Sequence, residues 1–312
     1  MADYALSDHA RALLEVMQWP GVGQAKGRDL ARAAISLKAD VRELARSRTR
    51  QASGLEQEAA AREAESILTE CARLHLAVVA LGDPHYPTRL AEISDAPALI
   101  FVKGDCSSLT RAAVAVVGTR DASPAGLRAA TAIGELLARR GLVVVSGLAL
   151  GIDAAAHTGA LNGSGQTVAV LAHGLDSLSP KTNAPIAERI LGSGGALISE
   201  HPPGVPARPA EFVRRNRIQS GMSICSIVVE SGEKGGAMHQ AAFTVQQGRP
   251  LLTVLSSQKG AGGINEAGAR RLISEFHAVA VRGTSELGAW LEQLRSGPGD
   301  STSASGQREL DW

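Results

Sequence analysis

From Val114 onward the chain alternates short apolar runs with helical stretches, and this rhythm constrains the fold more than any other feature. VAVVG (114–118), LVVVS (142–146), TVAVL (167–171), ALIS (196–199), SIVVE (226–230) and PLLTV (250–254) are short and apolar, as buried strands are. Ser123-Pro124 starts a helix, with serine suited to the N-cap and proline to the first turn. Ile133, Leu136 and Leu137 give that helix an apolar face, and Gly141 ends it. GIDAAAHTGAL (151–161), NAPIAERILGS (183–193) and GAMHQAAFTVQQG (236–248) are further helical segments. Buried strands alternating with helices imply parallel βαβ units. The expected fold is α/β, a doubly wound and mainly parallel sheet.

Upstream the pattern differs. Residues 1–75 are rich in Ala, Arg, Glu and Leu and read as a small all-helical domain, with a turn at WPGVGQAKGRDL (19–30) and a long helix over 57–74. Residues 76–105 read as a strand, a Pro-rich crossing and another strand. The expected domains are therefore 1–75, helical; 76–285, α/β; and 286–312, a helix end followed from about Ser296 by a flexible Ser/Gly-rich tail. The change of pattern near residue 76 predicts that the first module is dispensable for folding of the rest.

Thirty-two Lys and Arg face 31 Asp and Glu, so any nucleic-acid footprint has to be a local patch. Cys71, Cys106 and Cys225 are scattered without paired metal spacing, which favours a reducing compartment and predicts no metal site. The opening MADYALSDHARALLE carries charges where a signal peptide needs an apolar run. No segment approaches the ~18 apolar residues of a membrane helix. A cytoplasmic location without membrane contact is expected.

In an open parallel sheet, ligands bind beyond the carboxyl ends of the strands. GTRDASPAG (118–126) follows the first regular strand there. Gly118 permits a tight turn, Thr119 and Ser123 offer hydroxyls, Arg120 can fork onto a phosphate, and the next helix offers its free N–H groups. SGLALGIDAAAH (146–157) follows the second, where Ser146, Gly147 and Gly151 form another small-residue approach to an anion. Ordinary βα turns also favour Gly and Ser, but two such turns in succession point to phosphate. The GxGxxG fingerprint is absent in strict form, so no dinucleotide cofactor is expected.

Asp153 and His157 share a helix face at i and i+4. They suit an acid–base pair or part of a metal site, which would need further ligands, but a structural hydrogen bond that fixes the helix start is the expected role. In ARPAEFVRRNRIQSG (207–221), Arg208, Arg214, Arg215 and Arg217 face only Glu211, beside Phe212. Arginine can hold phosphate while a ring stacks a base; a solvated charge run or a buried Arg–carboxylate pair is the other reading. LSPKTN (178–183) adds Lys181 and Asn183 at the same edge.

Taken in order, GTR, SGLALGIDAAAHTGAL, TVAVLAHGLD, PKTN, GALISEHPPG, FVRRNRIQSGMS and VVE closely resemble the DprA/Smf family of DNA-processing proteins. YPTRLAEISDAPALIFVKGD (86–105) matches that family's lead-in, and the region around WPGVGQAKGRDLARA resembles its helix-hairpin-helix or SAM-type N-terminal domain. The resemblance covers about residues 10–280. It implies an extended Rossmann-like domain, homodimerisation, binding of single-stranded DNA without sequence preference, and delivery of that DNA to the recombinase RecA in natural transformation. Carried over by position, Arg120, Lys181, Arg214, Arg215, Asn216 and Arg217 match the family's basic DNA-binding pocket. Gly147, Gly151, Asp153 and His157 match its second motif.

Two stretches depart from the pattern. SGEKGGAMHQAA (231–242) stands where the family often has an SGSLxTA-like run, and LSSQKG (255–260) replaces the usual Pro-Gly. The alternative function is a nucleotide sensor or nucleotide-hydrolysing enzyme in the same pocket. Phosphoribohydrolases of related fold carry PGGxGTxxE, whose Thr and Glu are missing from 235–242. No catalytic residue is therefore expected. Glu200 and Glu230 end strands and are the candidate carboxylates for that alternative, the other reading being a simple anchor for an Arg.

Overall fold

The computed structural model describes residues 5–49, 52–256 and 263–296. Helices α1 (Asp8–Met17), α2 (Gln24–Leu37), α3 (Val41–Arg48) and α4 (Gly54–Arg73) open the chain. Ser7 caps α1, and Ser53 with Glu56 forms a reciprocal capping box on α4. Next come β1 (Leu76–Ala80), α5 (Thr88–Glu92) and β2 (Leu99–Gly104). The regular part runs β3 (Ala113–Val117), α6 (Pro124–Arg139), β4 (Val143–Ser146), α7 (Ile152–Asn162), β5 (Thr167–Val170), α8 (Ala184–Gly192) and β6 (Ala196–Ser199). It continues with α9 (Pro209–Met222), β7 (Ser226–Val228), α10 (Gly236–Gln246), β8 (Leu251–Val254), α11 (Ala267–Phe276), β9 (Val279–Val281) and α12 (Thr284–Ser296).

The strands form one sheet in the order β1-β2-β6-β5-β4-β3-β7-β8-β9. It is parallel from β6 to β9, while β2 lies antiparallel to both β1 and β6. The chain lays β3 to β6 outward in one direction, then returns through α9 to place β7 on the other side of β3. That reversal is the topological switch point, where open α/β sheets hold their ligands. The expected tail beyond residue 296 lies outside the described residues.

The helical segment does not have a core of its own. Leu13, Val16, Trp19, Leu30 and Leu44 belong to the same apolar cluster as Val78, Phe101, Leu197 and Met222. Polar ties reinforce the docking: Ser7 Oγ donates to Asp83 (2.8 Å), and Arg32 donates to the carbonyls of Ile93 (2.6 Å) and Ala91 (3.3 Å). The segment expected as a module over residues 1–75 thus shares its apolar cluster with the sheet. α4 does end just before β1, but the apolar faces of α1 to α4 pack onto the sheet and not only onto each other. A second cluster, with Ile133, Leu137, Val144, Ile227 and Leu252, packs α6 and α7 against the sheet.

Candidate nucleic-acid interface

A cleft of about 580 Å³ opens at the switch point. The loop after β3 supplies Thr119 and Arg120, the loop after β7 supplies Lys234 and Gly235, and α9 supplies Phe212 and Arg215. Arg120 is exposed, and its guanidinium carbon lies 5.5 Å from the centroid of the Phe212 ring. A cation over a ring face is attractive, and here it holds an exposed Arg at the mouth.

Beneath them Arg215 is buried, donating to the Val170 carbonyl at the end of β5. Burial pulls its pKa down to about 10 against the pull of Asp153, and the like charge of Arg120 acts in the same direction as burial. It remains charged at neutral pH. Burial pushes the Asp153 carboxyl up, opposed first by Arg215 and then by the Ala149 and Gly147 N–H groups. Asp153 accepts from Gly147 N–H at 3.1 Å, which fixes the turn ahead of α7. Gly151 closes that turn at φ +76°, in the left-handed region that favours glycine.

A side chain at Gly147 would overlap the Arg215 guanidinium. Gly147→Ala is therefore expected to lower stability by about 1–3 kcal/mol, the usual cost of overpacking. A denaturation midpoint equal to the wild type would show instead that Arg215 yields without cost.

Several expected phosphate ligands are committed elsewhere. The start of α6 is partly committed: Gly126 N–H donates to Ser123 Oγ (3.0 Å), and Ser123 N–H and Oγ donate to Glu230 (3.0 and 2.9 Å). Glu230 is thus the anion at that helix end and accepts Asn265 N–H as well (3.0 Å). Ser146 is buried and donates to the Val116 carbonyl at 2.6 Å. Asn183 is buried and clips the neighbouring loop, donating to the carbonyls of Leu148 (2.9 Å) and Ala149 (3.1 Å). Arg217 faces away from the cleft and forks onto Glu200, with Nη1–Oε1 at 2.8 Å and Nη2–Oε2 at 2.7 Å. These groups share one circumstance: α9 and the loops after β3, β4, β5 and β7 pack closely, and their polar groups bond to one another.

The remaining candidates divide by position. Gly118, Thr119, Arg120, Arg215 and Asn216 line the cleft, and Asn216 also donates to the Gly236 carbonyl at 3.2 Å. Lys181 and Arg214 are exposed, outside the cleft lining, and have no ion pair among the described residues. Sequence reasoning passed over Lys234. Its signal was a lone cation in a Gly-rich loop after a strand of the alternating series.

His157 sits below the cleft, fully buried. Thr167 Oγ1 donates to the Val144 carbonyl (2.7 Å), so it accepts from His157 Nδ1–H (2.7 Å), and Nε2 is left without a partner. Burial, with the Arg215 charge nearby, holds this imidazole down at about 3. Between its ordinary value near 6.5 and that value, the unfolded chain takes a proton the folded chain refuses. Stability from this group is complete above pH 6.5 and falls by up to about 1.4 kcal/mol per unit as pH drops. His157→Gln should flatten the slope of unfolding free energy between pH 6 and pH 5. An unaltered slope would contradict a neutral buried His157.

Glu200, His201 and Glu211 bring three metal-ligand atoms within 4.8 Å of one another. The set fits a cation poorly, because both Glu200 oxygens already face Arg217 and His201 Nε2 lies 3.1 Å from Glu211.

Together the parallel sheet and the cleft at its switch point define a Rossmann-like α/β protein with a basic, aromatic-mouthed cleft. The chain belongs to the DNA recombination-mediator protein A family, whose model matches residues 77–291. It is 41% identical over 169 residues to protein Smf of Escherichia coli (strain K12), covering 54% of this chain and 45% of that protein. It is 35% identical over 180 residues to the DNA processing protein DprA of Bacillus subtilis (strain 168), covering 57% and 60%. The chain thus spans about half to three fifths of the length of these relatives. The X-ray structure of DprA from Streptococcus pneumoniae superposes with a TM-score of 0.73 at 27% identity, covering 90% of this chain and 97% of that one. That similarity extends to a helical segment preceding the α/β domain, as the chain coverage requires.

Proposed function

We propose that the chain binds single-stranded DNA in the switch-point cleft, shields incoming strands, and delivers them to a RecA recombinase in natural transformation, acting in the cytoplasm as a homodimer. One observation carries the reading: Arg120 lies over Phe212 at the mouth, with the buried Arg215 charge beneath and Lys234 on the facing loop. Cations that track a backbone beside a ring that stacks bases are the machinery of sequence-tolerant single-strand binding. Membership of the recombination-mediator family supports the delivery step. The carboxylates near the cleft are held by protein groups, Asp153 by Gly147 and Glu230 by Ser123 and Asn265, which suits binding better than acid–base chemistry. Among the described residues no helix is long and apolar enough to cross a membrane.

Labelled single-stranded and double-stranded oligonucleotides, titrated beside free nucleotides, test the reading. Single strands should bind tightest, and poly-dT should serve as well as mixed sequence, because backbone contacts carry no base information. Phe212→Leu should weaken binding by about 1–3 kcal/mol, the worth of one stacked base. A preference for mononucleotides, with release of free base abolished by Glu230→Gln, would favour the enzyme reading instead.

A further inference from the structure

We propose that the opposite edge of the sheet carries a second nucleotide-phosphate site, built from Arg89, Arg140 and Arg249. These residues line a cleft of about 510 Å³ at the amino ends of the strands. Its floor is apolar. Leu142 immediately precedes β4, Ala112 precedes β3, Ile224 lies two residues before β7, and Pro250 precedes β8. Those four strands are adjacent in the sheet, so the floor is continuous. The volume lies within the range of small-ligand sites.

The three arginines arrive from separate elements: Arg89 on α5, Arg140 at the C-cap of α6, and Arg249 in the turn between α10 and β8. Helix C-termini favour a nearby cation, and Arg89, Arg140 and Arg249 all lie in or just beyond the last turn of a helix, which brings three such cations to one cleft. The local carboxylates do not balance them. Glu92 pairs with Arg249 at 2.6 Å, but it lines a neighbouring cleft with Asp95 and Phe243. Glu292 stands 3.6 Å from Arg140 and is largely exposed. Arg89 is exposed and makes no ion pair among the described residues. Arg140 Nη1 and Arg249 Nε have no acceptor among the described residues. Convergent guanidiniums with surplus donors match phosphate oxygens, which only accept and suit the planar fork. The apolar floor offers a place for sugar or base.

β3 has five residues at about 3.3 Å each, so the two edges stand roughly 15 Å or more apart. One nucleotide cannot reach both clefts. The second site takes either a free nucleotide or a further stretch of a strand that begins in the first, and only this latter arm rests on the proposed DNA binding.

The test titrates the full chain, at low salt, with thymidine 5′-monophosphate, a 6-mer oligo-dT and a 20-mer oligo-dT. Wild type is compared with Arg89→Gln, with Arg89→Gln/Arg140→Gln, and with Arg120→Ala. Because Arg140 packs against Gly288, the single Arg89→Gln variant keeps the test open if the double variant fails to fold. The expected result is about a tenfold loss in Arg89→Gln, on the scale of one charged hydrogen bond. Loss on the monophosphate identifies a free nucleotide as the ligand; loss confined to the 20-mer identifies the strand. Unchanged binding of all three probes by folded Arg89→Gln overturns the second site, even if Arg120→Ala weakens binding and the first cleft stands. Competition at Arg89 by poly-glutamate and by none of the three nucleotide probes also overturns it, in favour of an acidic peptide.

Discussion

Arg217→Ala is expected to cost about 3–5 kcal/mol of stability, the penalty for stripping one partner from a buried ion pair. The Arg217 and Glu200 side chains are only 4% and 3% exposed. Burial disfavours the Arg217 charge, yet Glu200 and then Asp95 hold its pKa above the ordinary value. Asp95 lies 3.2 Å away, so the guanidinium ties α9 to the end of β6 and to the turn after α5. Without it Glu200 stays buried and uncompensated. Replacing both partners, Arg217→Met with Glu200→Leu, should recover most of the loss, because well-packed apolar groups often replace a buried pair at little cost. Chemical denaturation of the single and double variants measures this. If Arg217→Ala keeps wild-type stability while DNA affinity falls, Arg217 is a ligand of the strand and the packing account of α9 is wrong.

A chain starting at Leu76 is expected to be insoluble or molten. Removing α1 to α4 takes away Leu13, Val16, Trp19 and Leu30 from the cluster that contains Val78, Phe101 and Leu197. The face uncovered is apolar, on a sheet whose edge strand is β1, and exposed apolar surface beside a strand edge associates. Dye binding, near-ultraviolet dichroism and a urea transition report the outcome. A soluble fragment with a single cooperative transition would show that the sheet is self-sufficient.

The parallel sheet was legible because its strands are buried on both faces, which writes them as continuous apolar runs such as VAVV and LVVV. The antiparallel pairing of β2 with β6 was not, since a short strand carries no mark of its neighbour. The amphipathic faces of α1 to α4 announced that they pack, but not on what. At the site, Arg120 and Phe212 were readable as a cation and a ring, although only the fold brings residues so far apart in sequence within 5.5 Å. RRNR read as one basic patch. A helix turns about 100° per residue, so Arg214 points to solvent, Arg215 into the cleft floor and Arg217 onto Glu200. Composition cannot separate those three environments. Glu230 was read as a possible anchor for an Arg; it anchors the start of α6 instead.

The most direct test of DNA binding in the switch-point cleft is the salt dependence of single-strand affinity in the wild type and in Arg120→Ala. Arg120 is exposed and packs only at the cleft mouth, so its loss should leave the fold intact. Each phosphate neutralised contributes about −0.7 to the log–log slope against salt. Arg120→Ala should weaken binding to all sequences alike and flatten the slope by about that amount, and Arg120→Lys should recover only part of the loss. A folded Arg120→Ala protein with unchanged affinity and slope would contradict the cleft as the path of the strand.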